Sequence, residues 1–414
     1  MHSPLRWQWP VSQGRPSRGQ SPTAGSYEEA PTVGRLRVGS AGHGIRTIPD
    51  MPDPAARFGQ LGNEYESRKR AAHALVEGWD WYTWPGLDLR PLHFERDLLK
   101  PGRRLDDRPP ENRDVLRIGF DARGRLTVIA EYSGFLHGKL HAETFFRHDD
   151  DLVQVAHFAT EDPIYLHEYR FGGGLMRSAT MVARRGSGRE SYTYTDGRIS
   201  RVEVEHNGGP HAVLAAEHDD LGLLRLVQTT SNESHVLYVR PPADFDLDAA
   251  CRAVEDELVA LIPEAAARLD VDEPIACLAL SYAEPTQLSI GISVATEAER
   301  GDLSTIDAQA AWAAEEFETN TDIGLDDTGP SRLVRQELAL LDADDHDVAA
   351  GSETGRRLLC AVAARLNLRD WSATLPVTED FVVYAVDLEL VDLERNLIGC
   401  LPPDRLAQFH ERGL

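Results

Sequence analysis

Lysine is almost missing from this 414-residue chain: Lys69, Lys100 and Lys139 are its three, while arginine and alanine abound. That bias reflects genomic base composition and carries no functional message. Cysteine is scarce as well. Cys251, Cys277, Cys360 and Cys400 stand far apart and form no CxxC pair, so they suit a reduced cytosol and read as small apolar residues. No apolar run approaches the roughly 18 residues that a membrane helix needs. Trp7, Trp9 and Pro10 near the N-terminus have no apolar segment behind them, which argues against a secretory signal.

Signatures of chemistry are missing too. There is no Gly-x-Ser-x-Gly elbow. Phe171-Gly172-Gly173-Gly174 lacks the Lys-Ser/Thr pair of a phosphate loop and reads as a turn. Nine histidines gather in the middle of the chain: His137, His141, His148, His157, His167, His206, His211, His218 and His235. None lies in an HExxH motif or at a spacing tied to cysteine, so they read as solvated or cross-strand side chains, with no metal and no cofactor expected.

What is present is a soluble composition, 42% hydrophobic and 27% charged, with a net charge of −25. The charge is segregated. Residues 1–113 carry net +3, residues 114–240 net −4, and residues 241–414, with 36 acidic and 12 basic side chains, net −24. Such a field disfavours nucleic acid and anionic lipid and favours a basic partner.

The organising stretch is residues 114–240. VLRIGFD (Val115 to Asp121), a short turn and RLTVIAEY (Arg125 to Tyr132) are two alternating runs around Asp-x-x-Gly, a hairpin signal. Looser copies carry turn aspartates Asp149, Asp196 and Asp219. Their recurrence predicts an antiparallel β-meander. Before it, residues 1–60 are rich in Gly, Pro, Ser and Arg and predict a disordered tail; the stretch before Met51 reads as an over-extended reading frame. Residues 61–113 predict a helix over Glu64 to Glu77, ended by Gly78. A Trp-rich arm follows, with Trp79, Trp81, Tyr82 and Trp84 read as a plug on the end of the sheet.

Pro241-Pro242 marks a linker at which two soluble pieces are expected. Residues 243–414 predict an acidic α+β domain. Its elements are a helix over Asp246 to Leu269, strands over Ile275 to Ala283 and Gln287 to Thr296, and a helix over residues 303–318. Further helices over Arg332 to Leu341 and Thr354 to Leu366, a strand over Phe381 to Val391 and a final helix from Pro402 complete it. The run Asp342 to Asp347 lacks the glycine that position 6 of a calcium loop demands. It reads as a solvated acidic loop. Asp342, Asp344, Asp345 and Asp347, with Glu315 and Glu316, are the candidate partner-binding residues.

FDARGRLTVIAEY and YTYTDGRISRVEVEH resemble the YD repeats of Rhs-type bacterial proteins, with Asp121, Gly124, Arg125 and Leu126 matching that pattern in the first copy. ALSYAEPTQLSIGISVATEAE, the stretch around Trp312 and FVVYAVDLEL resemble uncharacterised bacterial domains found beside polymorphic toxins. Together the resemblances imply a cytoplasmic, non-catalytic immunity or accessory protein that binds a basic toxin. The alternative is a hydrolase with a His/Asp site in the meander.

Overall fold

Asp121, Gly124 and Arg125 show how the meander is set locally. The Asp121 carboxylate accepts from the main-chain nitrogens of Arg123 and Arg125, each at 2.9 Å, and pairs with the Arg125 guanidinium at 2.8 Å. Gly124 takes a φ of 74°, which a side chain would resist. One aspartate thus satisfies the turn and fixes the register of both strands. At Asp196-Gly197 both residues have positive φ, the two-residue turn suited to a twisted hairpin.

The computed structural model describes residues 54–109, 114–304, 309–325, 329–344 and 349–411. Helices α1 (Pro54–Leu61) and α2 (Tyr65–His73) precede strand β1 (Gly78–Thr83), a short α3 (His93–Asp97) and β2 (Arg104–Leu105). The meander runs through β3 (Val115–Phe120), β4 (Leu126–Ser133), β5 (Lys139–Asp149), β6 (Leu152–Ala159) and β7 (Asp162–Gly172). It continues through β8 (Leu175–Ala183), β9 (Gly186–Thr195), β10 (Arg198–His206), β11 (Gly209–Asp219), β12 (Gly222–Thr229) and β13 (Ser234–Val239). These make a 13-stranded sheet ordered β13 down to β3, then β1 and β2. The expected tail is corrected at its end, because residues 54–60 are helical and Leu61 is fully buried; residues 1–53 lie outside the described residues. The Trp-rich arm is also corrected. It is strand β1, paired with β3 so that Trp79 faces Gly119 and Trp81 faces Arg117, and the Arg117 guanidinium lies 4.5 Å from the Trp79 ring.

One face of β4–β7 packs under α1 and α2. Leu61, Tyr65 and Ala72 meet Val128, Phe145, Ala156, Phe158 and Leu166. Glu143 is buried there, held by the Tyr65 hydroxyl at 2.5 Å and the Lys69 ammonium at 2.7 Å. With both partners present the carboxylate is compensated; losing either alone would strand a buried charge.

The described residues fall into two compact units. The first holds the chain up to His93, Pro101–Gly222 and Val227–Ser234; the second holds Phe94–Lys100, Leu223–Leu226 and the chain from His235 onward. Pro241-Pro242 therefore lies inside the second unit. The reason is that the side chains of Arg332 and Gln336, far along the second unit, fasten β13.

The second unit begins with α4 (Leu247–Ala266), capped by Asp246, whose carboxylate accepts from Ala249 N at 3.1 Å. Pro263 does not break it. Next come β14 (Ile275–Tyr282), β15 (Ile290–Thr296), α5 (Glu297–Ser304), two 3₁₀ turns (Ala310–Trp312 and Ala314–Glu316) and β16 (Thr319–Ile323). Then α6 (Pro330–Asp344), α7 (Ala350–Leu366), β17 (Val377–Asp387), α8 (Leu393–Cys400) and α9 (Pro403–Glu411) complete the chain. Where a helix was expected over residues 303–318, the described residues hold the end of α5 and the 3₁₀ turns, and β16 follows them. The sheet order is β16-β15-β14-β17, with β17 parallel to β14 and the other pairs antiparallel. Every residue of β14 is buried, as its unbroken apolar sequence demands of a strand covered on both faces. In α7, Gly351 and Gly355 admit neighbours that a Cβ would strike, Leu338 O at 1.8 Å and Pro285 O at 2.3 Å.

Arg332 and Gln336, both buried on α6, reach β13. The Arg332 guanidinium donates to the carbonyls of Val236 and Leu237. The Gln336 amide accepts from Val239 N at 2.9 Å and donates to Val239 O at 2.7 Å.

Candidate functional site

The acidic residues singled out from the sequence separate into two groups. Asp342 is half-buried and tied to α7. Its carboxylate accepts from Ser352 N at 2.9 Å and from the Ser352 hydroxyl, satisfying an otherwise unpaired N–H in the first turn of α7. The backbone of Asp344 closes α6; its side chain, and all of Asp345 and Asp347, lie outside the described residues.

Glu315 and Glu316 are exposed on the second 3₁₀ turn. Their neighbours explain why. Trp312 is buried edge-on against Tyr384, at 5.0 Å between ring centroids, and against Phe409, at 5.3 Å. The Arg300 guanidinium lies 4.6 Å from the Trp312 ring, and the Tyr384 hydroxyl donates to Trp312 O at 3.1 Å. Phe317 is buried as well. With Trp312 and Phe317 anchored, the polar residues between them turn outward. The chain then enters β16, where Glu318, Asn320 and Asp322 are exposed. β16 pairs with β15 on one side and ends the sheet order on the other. Between Arg300 and Arg332 the sequence has eight acidic residues and no lysine or arginine. That run was legible in the sequence; its placement along a sheet edge was not.

The meander histidines do not converge. Among the described residues no group of three or more His, Cys, Asp or Glu side chains is arranged to hold a metal ion. His148 hydrogen-bonds Leu126 O, His218 hydrogen-bonds Ile199 O, and His206 stacks on His211 with centroids 3.8 Å apart. His157 and His167 do meet, through Tyr165, which lies 4.6 Å from each ring. The Tyr169 hydroxyl is 2.6 Å from His167 Nδ1. Burial raises Tyr169 far above its ordinary value, so the hydroxyl keeps its proton and donates it. Nε2 of His167 then bears hydrogen and has no partner among the described residues. Burial and then the Arg90 charge press His167 down to about 3. Burial and then His141 press His157 to about 4.

Near them Asp88 and Arg90 form a bidentate pair at 2.9–3.3 Å. Burial would raise the Asp88 carboxyl, but the Arg90 charge and hydrogen bonds outweigh it and hold it at about 2. Glu131 has no such cation. Burial alone pushes it up to about 7, and it lies 3.7 Å from His157. Because His157 stays neutral, this is a contact between polar groups and not an ion pair. The sequence signal for the row was alternation: Tyr165, His167 and Tyr169 sit at every second position of β7 and share a face.

On the other face, a cleft of about 500 Å³ opens beside α2, lined among others by Arg68, Arg125, Phe146 and His148. Its cations are already matched, Arg68 by Glu64 at 2.7 Å and Arg125 by Asp121 at 2.8 Å, so it offers no uncompensated charge.

No protein-family model matches the chain, and none of the curated proteins does. Among solved structures it is similar to a porin-like protein from Bacteroides uniformis ATCC 8492. That likeness has a TM-score of 0.24 and 13% identity, over 30% of this chain and 51% of that one. The chain thus spans about half of that protein's length, and a likeness this slight carries no functional argument. Among the described residues no helix is long and apolar enough to cross a membrane.

Proposed function

We propose that the chain is a non-catalytic binding protein whose second unit takes a basic protein partner along Glu315, Glu316, Glu318 and Asp322. The observation that carries this reading is the coincidence of a base-free acidic run with β16, the last strand in the order of the four-stranded sheet. Exposed carboxylates there set up a field that steers a cation-rich surface, and such steering raises association rates by about 10- to 1,000-fold. An immunity or accessory role in a bacterial toxin system is the form of this function that the sequence resemblances suggest, since toxins acting on nucleic acid present basic clefts.

The test begins with a partner captured from the native host, whose isoelectric point is measured first. Neutralising Glu315, Glu316 and Glu318 to Gln and Asp322 to Asn should lower its on-rate by about tenfold and flatten the salt dependence, while the off-rate changes far less. A neutral or acidic partner, or an unchanged on-rate, refutes the proposal.

A second reading has one observation in its favour. Glu131, pushed up to about 7 beside His157, is poised for general acid–base work at neutral pH in a hydrolase. Hydrolysis with a pH inflection near 7 that disappears in Glu131→Gln would establish it.

A further inference from the structure

Two buried thiols lie together where α8 crosses α7. Cys360 and Cys400 are 4% and 1% exposed, and Cys360 Sγ lies 3.9 Å from Asn396 O, on the turn of α8 that ends at Cys400. The surroundings of the two sulfurs differ. Cys360 Sγ lies 3.8 Å from the Arg356 guanidinium and 3.6 Å from Asn396 Oδ1. Arg356 is held in place by Glu353 at 2.8 Å and by Asn396 at 3.0 Å. Cys400 Sγ faces the strand instead and accepts from Ala385 N at 3.3 Å. The cover over Cys360 is thin. Gly399 is exposed, and a Cβ at that position would sit 3.3 Å from Cys360 Sγ. One glycine therefore separates this sulfur from solvent.

We propose that Cys360 and Cys400 are an oxidisable pair, with Cys360 the attacking and Cys400 the resolving thiol, that closes to a disulfide when hydrogen peroxide reaches it past Gly399. The Cys360 thiolate attacks one peroxide oxygen. The O–O bond breaks, hydroxide leaves, and sulfur is oxidised by two electrons to a sulfenic acid. The Cys400 thiolate, its proton passed to the departing oxygen, then attacks that sulfur, and water leaves as the S–S bond forms. One peroxide and two thiols yield one disulfide and two waters. The asymmetry favours this order. The neighbouring Cys400 thiol and the Arg356 charge pull the Cys360 thiol below its ordinary value against the opposing effect of burial. The neighbouring Cys360 and burial raise Cys400. A thiol beside a fixed cation is the more reactive nucleophile.

The full chain supplies its own controls. Cys251 is more exposed than Cys360, and Cys277 is buried with its thiol pushed up to about 11. The protein is treated with peroxide, quenched at intervals, alkylated under denaturing conditions and mapped by mass spectrometry. Cys360 and Cys400 should disappear together as one cross-linked peptide pair, at about tenfold the rate at which Cys251 is lost. In Cys400→Ser, Cys360 should accumulate sulfenic acid that dimedone traps. Loss of Cys251 first, uniform loss of all four thiols, or the absence of the Cys360–Cys400 cross-link overturns the proposal. The wild-type map decides the matter even if the variant does not fold.

Discussion

Replacing Gln336 with leucine tests where the second unit begins. The Gln336 side chain has no exposed surface and binds both main-chain groups of Val239, at 2.9 and 2.7 Å. Leucine keeps most of the volume and removes both bonds. The Val239 N–H and C=O then lose their glutamine partner in a half-buried strand. Each buried polar group left unpaired costs about 1–3 kcal/mol. Extra apolar burial returns about 1–2 kcal/mol. The expected net loss is about 1–4 kcal/mol. In urea, with a slope of about 2 kcal/mol per molar, the midpoint falls by roughly 0.5–2 M. The assay is equilibrium unfolding of the full chain, with tryptophan fluorescence and circular dichroism followed together so that the two units' transitions are separated. Two fragments complete it. One starting at Ser234 retains β13 and should unfold cooperatively. One starting at Ala243 lacks it and leaves Arg332 and Gln336 buried without their carbonyls, so it should be markedly less stable. An unmoved midpoint together with equal stability of the two fragments would sink the argument and restore the boundary at Pro241-Pro242.

Three further outcomes follow from particular contacts. Glu131 has a folded value near 7 against an ordinary 4.5, so the folded state prefers it protonated and stability is lost as pH rises from about 4.5 to 7. Glu131→Gln should therefore stabilise the protein at pH 8 by about 1–3 kcal/mol and have little effect at pH 4, as thermal unfolding at the two pH values will show. Asp246→Ala removes the cap of α4 and should cost about 1 kcal/mol in urea unfolding; a loss below about 0.3 kcal/mol would mean the cap bond contributes nothing. Gly351→Ala places a Cβ 1.8 Å from Leu338 O, and should lower stability by about 1–3 kcal/mol through forced separation of α6 and α7; an unchanged melting temperature would contradict that close approach.

The hairpin copies were legible because strand pairing between sequence neighbours is local. Alternation, an aspartate and a glycine are enough to specify a turn, and Asp121 shows the chemistry at atomic distances. Helix α4 was legible for the same reason, through its cap and apolar period. The Trp-rich arm was misread because aromatic clustering marks burial without saying on what; only the pairing of Trp81 with Arg117 places it in the sheet. The stretch over residues 303–318 read as a helix, yet Ala310–Trp312 and Ala314–Glu316 are 3₁₀ turns, where Trp312 is anchored between Tyr384 and Phe409.

Of the candidate sites, the sequence by itself determined which residues carry charge: a base-free acidic run from Asp302 to Asp327, and acidity gathered in the last segment. It also determined the meander, since each hairpin is closed by residues a few positions apart. Tertiary structure alone decided the rest. It tied the Asp342 carboxylate to Ser352 in the first turn of α7 and left Glu315 and Glu316 on the surface. It joined β17 in parallel to β14 across about a hundred residues. It brought Cys360 beside Cys400, and it left Glu131 half-buried without a cation. The physical reason is range. Propensity and turn chemistry act over a few residues, whereas burial, ion pairing and thiol reactivity depend on which distant segments share a volume, and that is settled only when the core closes.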